Sequence, residues 1–385
     1  MEICVLNPYF YPQHGGTENV LLEIYKRLAK RNNVTLITSA LQPGDKERKE
    51  WVNGIKVVRL ETKRHMIPGL PLPFLEMRRL SENIVASKAD ICHINNRYQY
   101  FHQTIRTIKR HKKKLALTIH NALPQGINLE TDSIGYLYDV CWGRELMGYS
   151  DVITAVSGNV MQTTIPKKYH HKSCVIPNGV DNRRFRHRDG RAVKTRINRE
   201  MGFKGRLVLN TARLVHQKGQ AYLIRAVGKI VRDKELDDPV NLLIIGMGPL
   251  RDELYNEARK AGIGNNFAIL DSVGDGIQHY YNAADAYSMP SLYEPASIAV
   301  LEAMASETPL VASAVGGIPE IVEDGGLYSR CRDVKGIAKG LAQLLGDRKY
   351  AAKLAARARK LAVSKHDWDD IAVQYGRRFE ETIRY

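Results

Sequence analysis

The chain has few cysteines and no spacing typical of a metal site. Only five of its 385 residues are cysteine, and no two of them lie close together in sequence. Disulfide-rich secreted domains and zinc modules need such spacing, so we expect buried, reduced thiols. The segment Asp367-Trp368-Asp369 matches a metal-binding Asp-x-Asp pattern. It opens a predicted helix, where Asp367 suits the N-cap, so we expect no metal there.

Long apolar stretches are also missing. No window reaches the roughly 18 uninterrupted apolar residues of a membrane-spanning helix. The first residues already form a predicted strand instead of a signal peptide, so we expect a cytoplasmic protein that at most contacts the inner face of a membrane. Because 44% of the residues are hydrophobic, the chain can bury a large core and form two domains, which argues against disorder.

Short apolar runs alternate with segments of helical periodicity along the whole chain. In the first half these runs are 34–38, 55–60, 89–94, 115–119 and 152–156. In the second half they begin at Leu207, Leu242, Phe267, Ala286 and Leu310. Such alternation is typical of parallel α/β sheets. We predict two doubly wound, Rossmann-like domains that face each other across a cleft at the carboxyl ends of their strands.

Basic residues outnumber acidic ones, 58 to 41, for a formal net charge of +17. Residues 1–180 hold 25 Lys and Arg against 15 Asp and Glu, so +10 of the excess lies there. No nucleic-acid-binding motif accompanies it, and we expect no nucleic-acid partner. The basic segments 63–79 and 106–114 suit an anionic membrane surface, and they suit equally a loop and a solvated helix face.

Glu294 and Glu302 lie at the opening of an otherwise apolar helix. Pro295 suits the first helical position, so we expect Glu294 near the N-cap. The backbone N–H groups that follow would be unpaired and would attract an oxygen-rich ligand: those of Ala296, Ser297 and Ile298. Eight helical residues span about 12 Å, which is similar to the distance between the hexose and the ribose of a sugar nucleotide.

Two cations follow the apolar strand 207–209. Arg213 has a planar fork of donors and Lys218 is a compact point charge, a pair that suits a diphosphate gaining negative charge. Glycine turns follow two other strands, at Gly15-Gly16 and Gly246-Met247-Gly248, and glycine lets backbone approach a phosphate closely. A dinucleotide-binding fingerprint would need a third glycine at position 251, which is Arg251, so a nicotinamide-dependent oxidoreductase is not expected.

Taken in order, these segments resemble the retaining glycosyltransferases of glycosyltransferase family 4, which have the GT-B fold. The resemblance covers nearly the whole chain. It rests on Gly15 to Glu18, Thr118 to Asn121, Pro177 to Asp181, Arg213 with Lys218-Gly219, Ile245 to Leu250, Glu294 to Glu302, and Gly316 to Glu320. The family usually has glycine where this chain has Ser297 and Glu307, and Ser297 belongs to the loop expected to face the sugar.

The resemblance implies a retaining hexosyltransferase that uses a UDP- or GDP-linked sugar and a hydroxyl acceptor. It implies catalytic roles for His120, Arg213, Lys218 and Glu294; a structural histidine at the end of a strand is the alternative for His120. The implied donor-binding residues are Gly15, Gly16, Gly246, Gly248, Pro249, Leu250, Val273, Ala296, Ser297, Ile298 and Glu302. The nucleotide sugar is then a co-substrate, and neither a cofactor nor a metal ion is expected.

We expect residues 1–177 to form the acceptor-side domain, with a C-terminal helix in 366–385 packed back on it, and residues 178–365 to form the donor domain. A lipid-linked or polysaccharide precursor is the expected acceptor. Two alternatives remain, a sugar-nucleotide epimerase of the same fold and a non-enzymatic polyanion-binding protein. The second leaves the segment from Glu294 to Glu302 without an explanation.

Overall fold

The computed structural model describes residues 1–12, 15–40, 45–65, 74–96, 99–121, 133, 136–137 and 143–385. The chain divides into two compact units, one formed by Met1–Asn178 with Trp368–Tyr385 and the other by Gly179–Asp367. Each unit has its own sheet of mainly parallel strands. The predicted α/β class with two parallel-sheet domains is therefore confirmed.

The first unit is organised around one large sheet. Its strands are β1 (Glu2–Leu6), β2 (Asn33–Ser39), β3 (Arg48–Val52), β4 (Ile55–Leu60), β5 (Thr62–His65), β6 (Phe74–Met77), β7 (Ile91–Asn95), β8 (Lys114–Ile119), β9 (Val152–Ala155) and β10 (Ser173–Val175). The order in the large sheet is β10-β9-β8-β7-β1-β2-β4-β3. Among the described strands of this sheet, only β3 is antiparallel to its neighbour. The buried strands are mainly apolar, as expected for a sheet covered on both faces.

Helices cover this sheet. They are α1 (Gly16–Leu28), α2 (Leu80–Ala86), α3 (Gln99–Arg110), α4 (Arg144–Tyr149) and α5 (Gly158–Thr164), together with the last helix of the chain, which spans Trp368–Arg384. The first helix ends at Leu28, and residues 29–31 form a turn before β2.

The last helix of the chain packs against α1 within the first unit. The Leu28 side chain lies against Gly376, where a larger residue would meet it, and Arg27 pairs with Asp369. Further along the helix, Tyr375 and Phe379 are fully buried. This final segment of the chain is therefore part of the core of the first unit.

The basic segment 63–79 contains a hairpin that the sequence did not predict. Strands β5 and β6 pair antiparallel as a separate two-stranded sheet, and residues 66–73 between them lie outside the described residues. Acidic residues neutralise part of the positive charge, since Lys63 is directly opposite Glu76 in the pairing and Arg78 lies 3.2 Å from Glu61. The simple loop considered for this segment is wrong, because opposite charges across the strands support regular pairing.

The second unit contains a fully parallel sheet. Its strands are β11 (Arg206–Thr211), β12 (Val240–Ile245), β13 (Phe267–Leu270), β14 (Ala286–Met289), β15 (Leu310–Ser313) and β16 (Leu327–Ser329), in the order β13-β12-β11-β14-β15-β16. Its helices are α6 (Arg191–Met201), α7 (Gln220–Arg232), α8 (Arg251–Lys260), α9 (Ile277–Ala283), α10 (Ile298–Ala305), α11 (Ile318–Val322), α12 (Val334–Gly346) and α13 (Arg348–Lys365); the last helix of the chain, in the first unit, is α14. Separate apolar clusters fill the two faces of the sheet.

The described cysteines are free thiols with different exposure. Cys4 and Cys92 are buried in neighbouring strands and Cys174 is half-buried, but Cys331 is exposed, so the expectation of buried thiols is wrong for Cys331. Cys141 lies outside the described residues. Within the described part of the chain, no group of three metal-binding side chains is present, and no helix is both long and apolar enough to cross a bilayer.

Candidate functional site

The loop after β11 carries the two predicted cations of the second unit. A short 3-10 turn, His216–Lys218, ends at Gly219, whose left-handed backbone (φ +65°) leads into α7. A Cβ at this glycine would collide with the carbonyl oxygen of Pro290, so glycine lets this loop lie against the loop after β14. Gln217 joins the two loops: its carbonyl accepts from Leu292 N at 2.8 Å and its Nε2 donates to Tyr293 O at 3.1 Å.

Lys218 and Glu294 meet where these two loops touch. Lys218 Nζ lies 2.5 Å from Glu294 Oε2, and Ser291 Oγ donates to the same oxygen at 3.2 Å. Glu294 is only 5% exposed, so its charge is neutralised by a directed ion pair and not by water. Gly317 N also donates to the Glu294 carbonyl oxygen at 3.0 Å, which fixes the backbone. The sequence assigned both residues to the donor site but did not predict that they pair with each other.

The helix that follows Glu294 begins later than predicted. Helix α10 starts at Ile298, and Ser297 is its N-cap, with extended backbone and a side-chain oxygen that accepts from Val300 N at 3.4 Å. The placement of Glu294 near the N-cap and of Pro295 at the first helical position is wrong. Serine is a strong N-cap residue and was overlooked. The helical estimate of about 12 Å between the carboxylates fails with it, because only the part from Ile298 to Glu302 is helical.

Of the three backbone N–H groups assigned to the helix start, only that of Ile298 belongs to the helix; Ala296 and Ser297 precede it. Ser297 also uses its hydroxyl oxygen to cap the helix. Its side chain therefore has a structural task in addition to any contact with a sugar.

Glu302 lies on α10 beside a buried hydroxyl. Tyr281 OH donates to Glu302 Oε2 at 2.8 Å. Burial raises the pKa of the Glu302 carboxyl to about 7, while the Tyr281 hydrogen bond and the positive charge of Arg184 oppose the rise. Arg184 Nη2 also donates to Asp275 O at 3.2 Å, in the turn that follows Val273. Arg184 therefore links the turn after Val273, a predicted donor-binding residue, to the region of Glu302.

The glycine turn after β12 packs against the Arg213 loop. Gly246 could not carry a side chain, because a Cβ would collide with the Ala212 carbonyl oxygen, and Gly248 lies equally close to Leu214. Leu214 N donates to Met247 O at 2.8 Å, and Leu250 N donates to Leu214 O at 3.3 Å. Pro249 lies between these contacts. The structure thus brings the predicted segment from Gly246 to Leu250 beside Arg213.

Arg213 itself is exposed. Gln220 Nε2 holds its carbonyl oxygen at 2.9 Å, which fixes the backbone at this position. Its guanidinium forms no ion pair with any other residue that the structure describes. An exposed arginine on a fixed backbone can take an anionic ligand without first breaking an internal ion pair.

The predicted residues of the first unit lie at the carboxyl ends of its strands. His120 follows β8, is buried, and has Nε2 2.9 Å from Asn95 Oδ1. Burial lowers the pKa of His120 to about 4, so the ring is neutral at pH 7. Gly15 is the N-cap of α1, and Gly16 is its first residue. The roles of His120, Gly15 and Gly16 toward a ligand remain predictions.

Several residues of this arrangement were missed from the sequence: Asn95, Thr211, Tyr281 and Ser291. Ser291 stands three residues before Glu294, and only its contact with the carboxylate reveals its role. Tyr281 and Thr211 are far from Glu302 in sequence, and only the folded structure brings Tyr281 to Glu302 and Thr211 to Tyr281.

Two protein-family models match the chain. The model of Glycosyltransferase Family 4 matches residues 14–184, and that of Glycosyl transferases group 1 matches residues 194–361. Together they cover both units. The chain therefore belongs to the family-4 glycosyltransferases with the GT-B fold, as its motifs predict.

Among curated relatives, an uncharacterised glycosyltransferase of Methanocaldococcus jannaschii is 34% identical over 203 residues, 51% of either chain. The GDP-mannose-dependent alpha-(1-6)-phosphatidylinositol monomannoside mannosyltransferase of Mycobacterium tuberculosis is 31% identical over 209 residues, which is 52% of this chain and 53% of the relative. The chain thus matches these relatives over about half of their length.

Solved structures show the same fold over the full length. Sucrose-phosphate synthase from Thermosynechococcus elongatus has a TM-score of 0.78 at 20% identity and covers 99% of both chains. HepE from Anabaena, in complex with UDP-glucose, has a TM-score of 0.75 at 19% identity and covers 98% of this chain and 99% of its own. At these identities the similarity shows the fold alone.

Proposed function

We propose that this protein transfers a hexose from a nucleoside-diphosphate sugar to a hydroxyl group of an acceptor, with retention of the anomeric configuration. The observation that carries the proposal is the buried Glu294, paired with Lys218 at 2.5 Å where the loops after β11 and β14 meet. Ligands of open α/β sheets bind at the carboxyl ends of the strands. A buried, ion-paired carboxylate at that edge is typical of a binding site for a polar ligand.

The cations of this edge would stabilise the leaving group. When the bond between the anomeric carbon and the diphosphate breaks, the electron pair goes to the diphosphate oxygen. Lys218 has three N–H donors, and Glu294 engages one of them, so the others can reach phosphate oxygens. Arg213 can bind a second oxygen through its planar fork. Because two cations supply this charge, we propose that the transfer requires no metal ion and no cofactor.

The carboxylates would orient the two sugars of the donor. Glu294 would accept hydrogen bonds from hexose hydroxyls, beside the Ile298 N–H at the start of α10. Glu302 would accept from the ribose hydroxyls. Ala296 and Ser297 would lie beside the hexose with Glu294. The remaining predicted donor residues would lie beside the base and the ribose: Gly246, Gly248, Pro249, Leu250 and Val273.

For the transfer itself, we propose that the acceptor attacks the anomeric carbon from the same face of the sugar that the diphosphate leaves. The acceptor oxygen would form the new bond to the anomeric carbon, and its proton would pass to the leaving phosphate oxygen. A covalent route would need a carboxylate on the opposite face, and Glu294 is already assigned to the sugar. His120 and the Gly15-Gly16 turn would contribute from the first unit, which we propose as the acceptor-side domain.

Two nucleotides remain candidates for the donor. One relative is named for its dependence on GDP-mannose, and one structural neighbour was solved with UDP-glucose. The mannosyltransferase is named for a phosphatidylinositol-linked acceptor, which supports a lipid-linked acceptor here. A polysaccharide precursor is the alternative acceptor.

The first experiment is a thermal-shift panel with UDP, GDP and ADP, each with and without its sugar. A ligand at about 100 times its dissociation constant stabilises the folded state by roughly 2.7 kcal/mol. We expect one nucleotide to raise the melting temperature selectively. Arg213→Ala should weaken this shift, whereas Arg225→Ala, which removes a surface arginine paired with Glu257, should leave it unchanged.

Three other results would contradict the transferase proposal. A shift by inorganic polyphosphate but by none of the three nucleotides would favour a polyanion-binding protein. A changed sugar in the nucleotide after incubation without acceptor would favour an epimerase. An equal loss of the nucleotide shift in Arg213→Ala and Arg225→Ala would remove Arg213 from the site.

We also propose that the protein contacts an anionic membrane surface peripherally. The segment 106–114 supports this, because the side chains of Arg106, Arg110 and Lys112 are exposed and pair with no other described residue. Their combined replacement by alanine should reduce co-sedimentation with vesicles rich in phosphatidylserine at low salt. The matched control is the triple alanine variant of Lys30, Lys88 and Lys204. Wild-type protein that stays in the supernatant would end this proposal.

A further inference from the structure

A row of hydroxyl groups leads from the core of the second unit to Glu302. Tyr287 OH lies 3.3 Å from Thr211 Oγ1, and the same oxygen lies 2.6 Å from Tyr281 OH. Tyr281 OH lies 2.8 Å from Glu302 Oε2. Both tyrosines are fully buried, and Thr211 is 9% exposed, so water does not compete for these bonds.

The carboxylate sets the direction of every proton in this row. Ionised Glu302 only accepts, so Tyr281 must donate its proton to it. The Tyr281 oxygen is then an acceptor and takes the Thr211 proton, and the Thr211 oxygen in turn takes the proton of Tyr287. All three O–H bonds point toward Glu302, and hydrogen bonds aligned in this way polarise one another.

The charged groups around Glu302 are few. From the segment before α6, Arg184 is the cation that favours its ionised form. From α13, the Arg359 guanidinium donates to Ala305 O at the far end of α10. From α9, Tyr281 provides the contact already described. Desolvation opposes the charge of Glu302, so the hydroxyl row and Arg184 have to offset it.

We propose that Tyr281, Thr211 and Tyr287 form a hydroxyl relay that favours the ionised form of Glu302 and keeps its second oxygen turned toward a ligand. Oε2 is engaged by Tyr281, and Oε1 takes no hydrogen bond from any other residue that the structure describes. A fixed carboxylate with one free oxygen is suited to a vicinal diol, the group that a ribose presents. Tyr281 and Thr211 are therefore positioning residues.

The relay makes a graded prediction. Removing a donor that favours the ionised form raises the pKa of the carboxyl, and the effect declines with distance along the row. Tyr281→Phe should move the midpoint of the Glu302 titration upward by about one pH unit or more. The reason is that a hydrogen bond to a charged group is worth about 1.5–3 kcal/mol. Thr211→Val should move it less, and Tyr287→Phe least.

The test uses the full-length protein with glutamate labelled at the side-chain carboxyl carbon and a pH titration followed by NMR. Loss of one signal in Glu302→Gln assigns the resonance. The matched control is Tyr255→Phe, which removes another tyrosine hydroxyl of the second unit, one that accepts from Ile269 N. The relay is supported if the upward shift of the Glu302 titration midpoint is largest in Tyr281→Phe, smaller in Thr211→Val and smallest in Tyr287→Phe, and if Tyr255→Phe causes no shift.

Two results would overturn the relay. The first is a Glu302 titration midpoint in Tyr281→Phe that is equal to or lower than that of the wild type. The second is a set of midpoint shifts that correlates with each variant's loss of melting temperature instead of its position along the row, because this is the behaviour of a general packing defect. If Tyr281→Phe fails to fold, the comparison of Thr211→Val with Tyr287→Phe still decides the order.

The relation to a ribose rests on the proposed function, and a second readout separates the two. UDP and GDP binding is measured by calorimetry across the same pH range. If binding strengthens about tenfold through the Glu302 midpoint and follows it in the variants, both proposals are supported. If the midpoint moves as predicted but no nucleotide binding follows it, the relay stands and the ribose role of Glu302 fails.

Discussion

The carboxyl edges of the two sheets handle polar groups differently. In the second unit, Lys218 and Glu294 form a buried ion pair, and the exposed Arg213 adds a positive charge. In the first unit, the predicted residue His120 is instead an uncharged ring hydrogen-bonded to Asn95. A charged group can stabilise charge that develops in a reaction, whereas a neutral ring can orient hydroxyl groups without attracting ions. The difference supports a donor role for the second unit and an acceptor role for the first.

The largest expected effect is on turnover. Glu294→Gln and Arg213→Ala should each lower turnover about 10²-fold or more, because each removes a charged group that would act in the transition state. His120→Asn should cost about tenfold, since one neutral hydrogen bond is worth about 1–1.5 kcal/mol. Steady-state assays with the donor identified by thermal shift measure all three. Equal losses at His120 and Glu294 would break the distinction between the neutral His120 and the charged Glu294.

The next effect concerns the backbone that supports Glu294. Gly316 and Gly274 have almost the same left-handed backbone, with φ of +56° and +54°. A Cβ at Gly316 would collide with the Glu294 carbonyl oxygen, whereas a Cβ at Gly274 would meet open space. Gly274→Ala should lose about 1–2 kcal/mol of unfolding free energy from backbone strain alone. Gly316→Ala should lose clearly more, as chemical denaturation can show; similar losses would mean that the Glu294 backbone is not tightly held.

A smaller effect is a difference between the two units in how their folding stability depends on pH. Burial lowers the pKa of His93 to about 3 and that of His120 to about 4, so the folded first unit binds fewer protons than the unfolded chain between these values and about pH 6.5. Their contribution to stability is complete above about pH 6.5 and is lost as the pH falls. For Glu302 the sign is opposite: its pKa is raised from 4.5 to about 7, so its contribution is complete below about pH 4.5 and is lost as the pH rises through 7.

Hydrogen exchange followed by mass spectrometry at pH 5 and pH 7, corrected for intrinsic rates, can test these signs. Acid should weaken protection around β7 and β8 and should not weaken it in the same way around α10. Glu302→Gln should remove its share of the pH dependence in the second unit only. The same pH response in both units would contradict the assignment of these groups.

The smallest expected effect is on a surface thiol. Cys331 is exposed, and Cys4 and Cys92 of the first unit are buried. A maleimide reagent should label Cys331 in the native protein and reach Cys4 and Cys92 only after unfolding. Peptide mapping identifies the labelled positions. Rapid labelling of Cys4 would show that the core of the first unit opens easily.

The strands could be predicted because their burial leaves a local pattern. The runs at Leu207, Leu242 and Leu310 are continuous apolar segments, and each forms a parallel strand. The short edge strand β3 was missed, because its sequence, Arg48 to Val52, is largely charged and exposed. Its pairing depends on a neighbouring strand and not on its own apolar character.

At the candidate site, residue types were easier to predict than geometry. Glu294, Lys218 and the Gly246 turn stand out because their chemistry is unusual for a core. The start of α10 was misplaced by three residues, since Pro295 and Ser297 are both acceptable near a helix start and only the hydrogen bond to Val300 decides between them. The contact of Tyr281 with Glu302 depends on the packing of α9 against α10, which no local pattern encodes.

The position of α14 has a consequence for the order in which the chain folds during synthesis. This helix follows the whole second unit in the sequence, yet its residues Tyr375 and Phe379 pack in the core of the first unit, with the Phe379 ring 5.3 Å from the His93 ring. All residues of the second unit leave the ribosome before it does. The second unit can therefore fold as a whole during translation, whereas the first unit waits with an open apolar face until the final turns of α14 emerge.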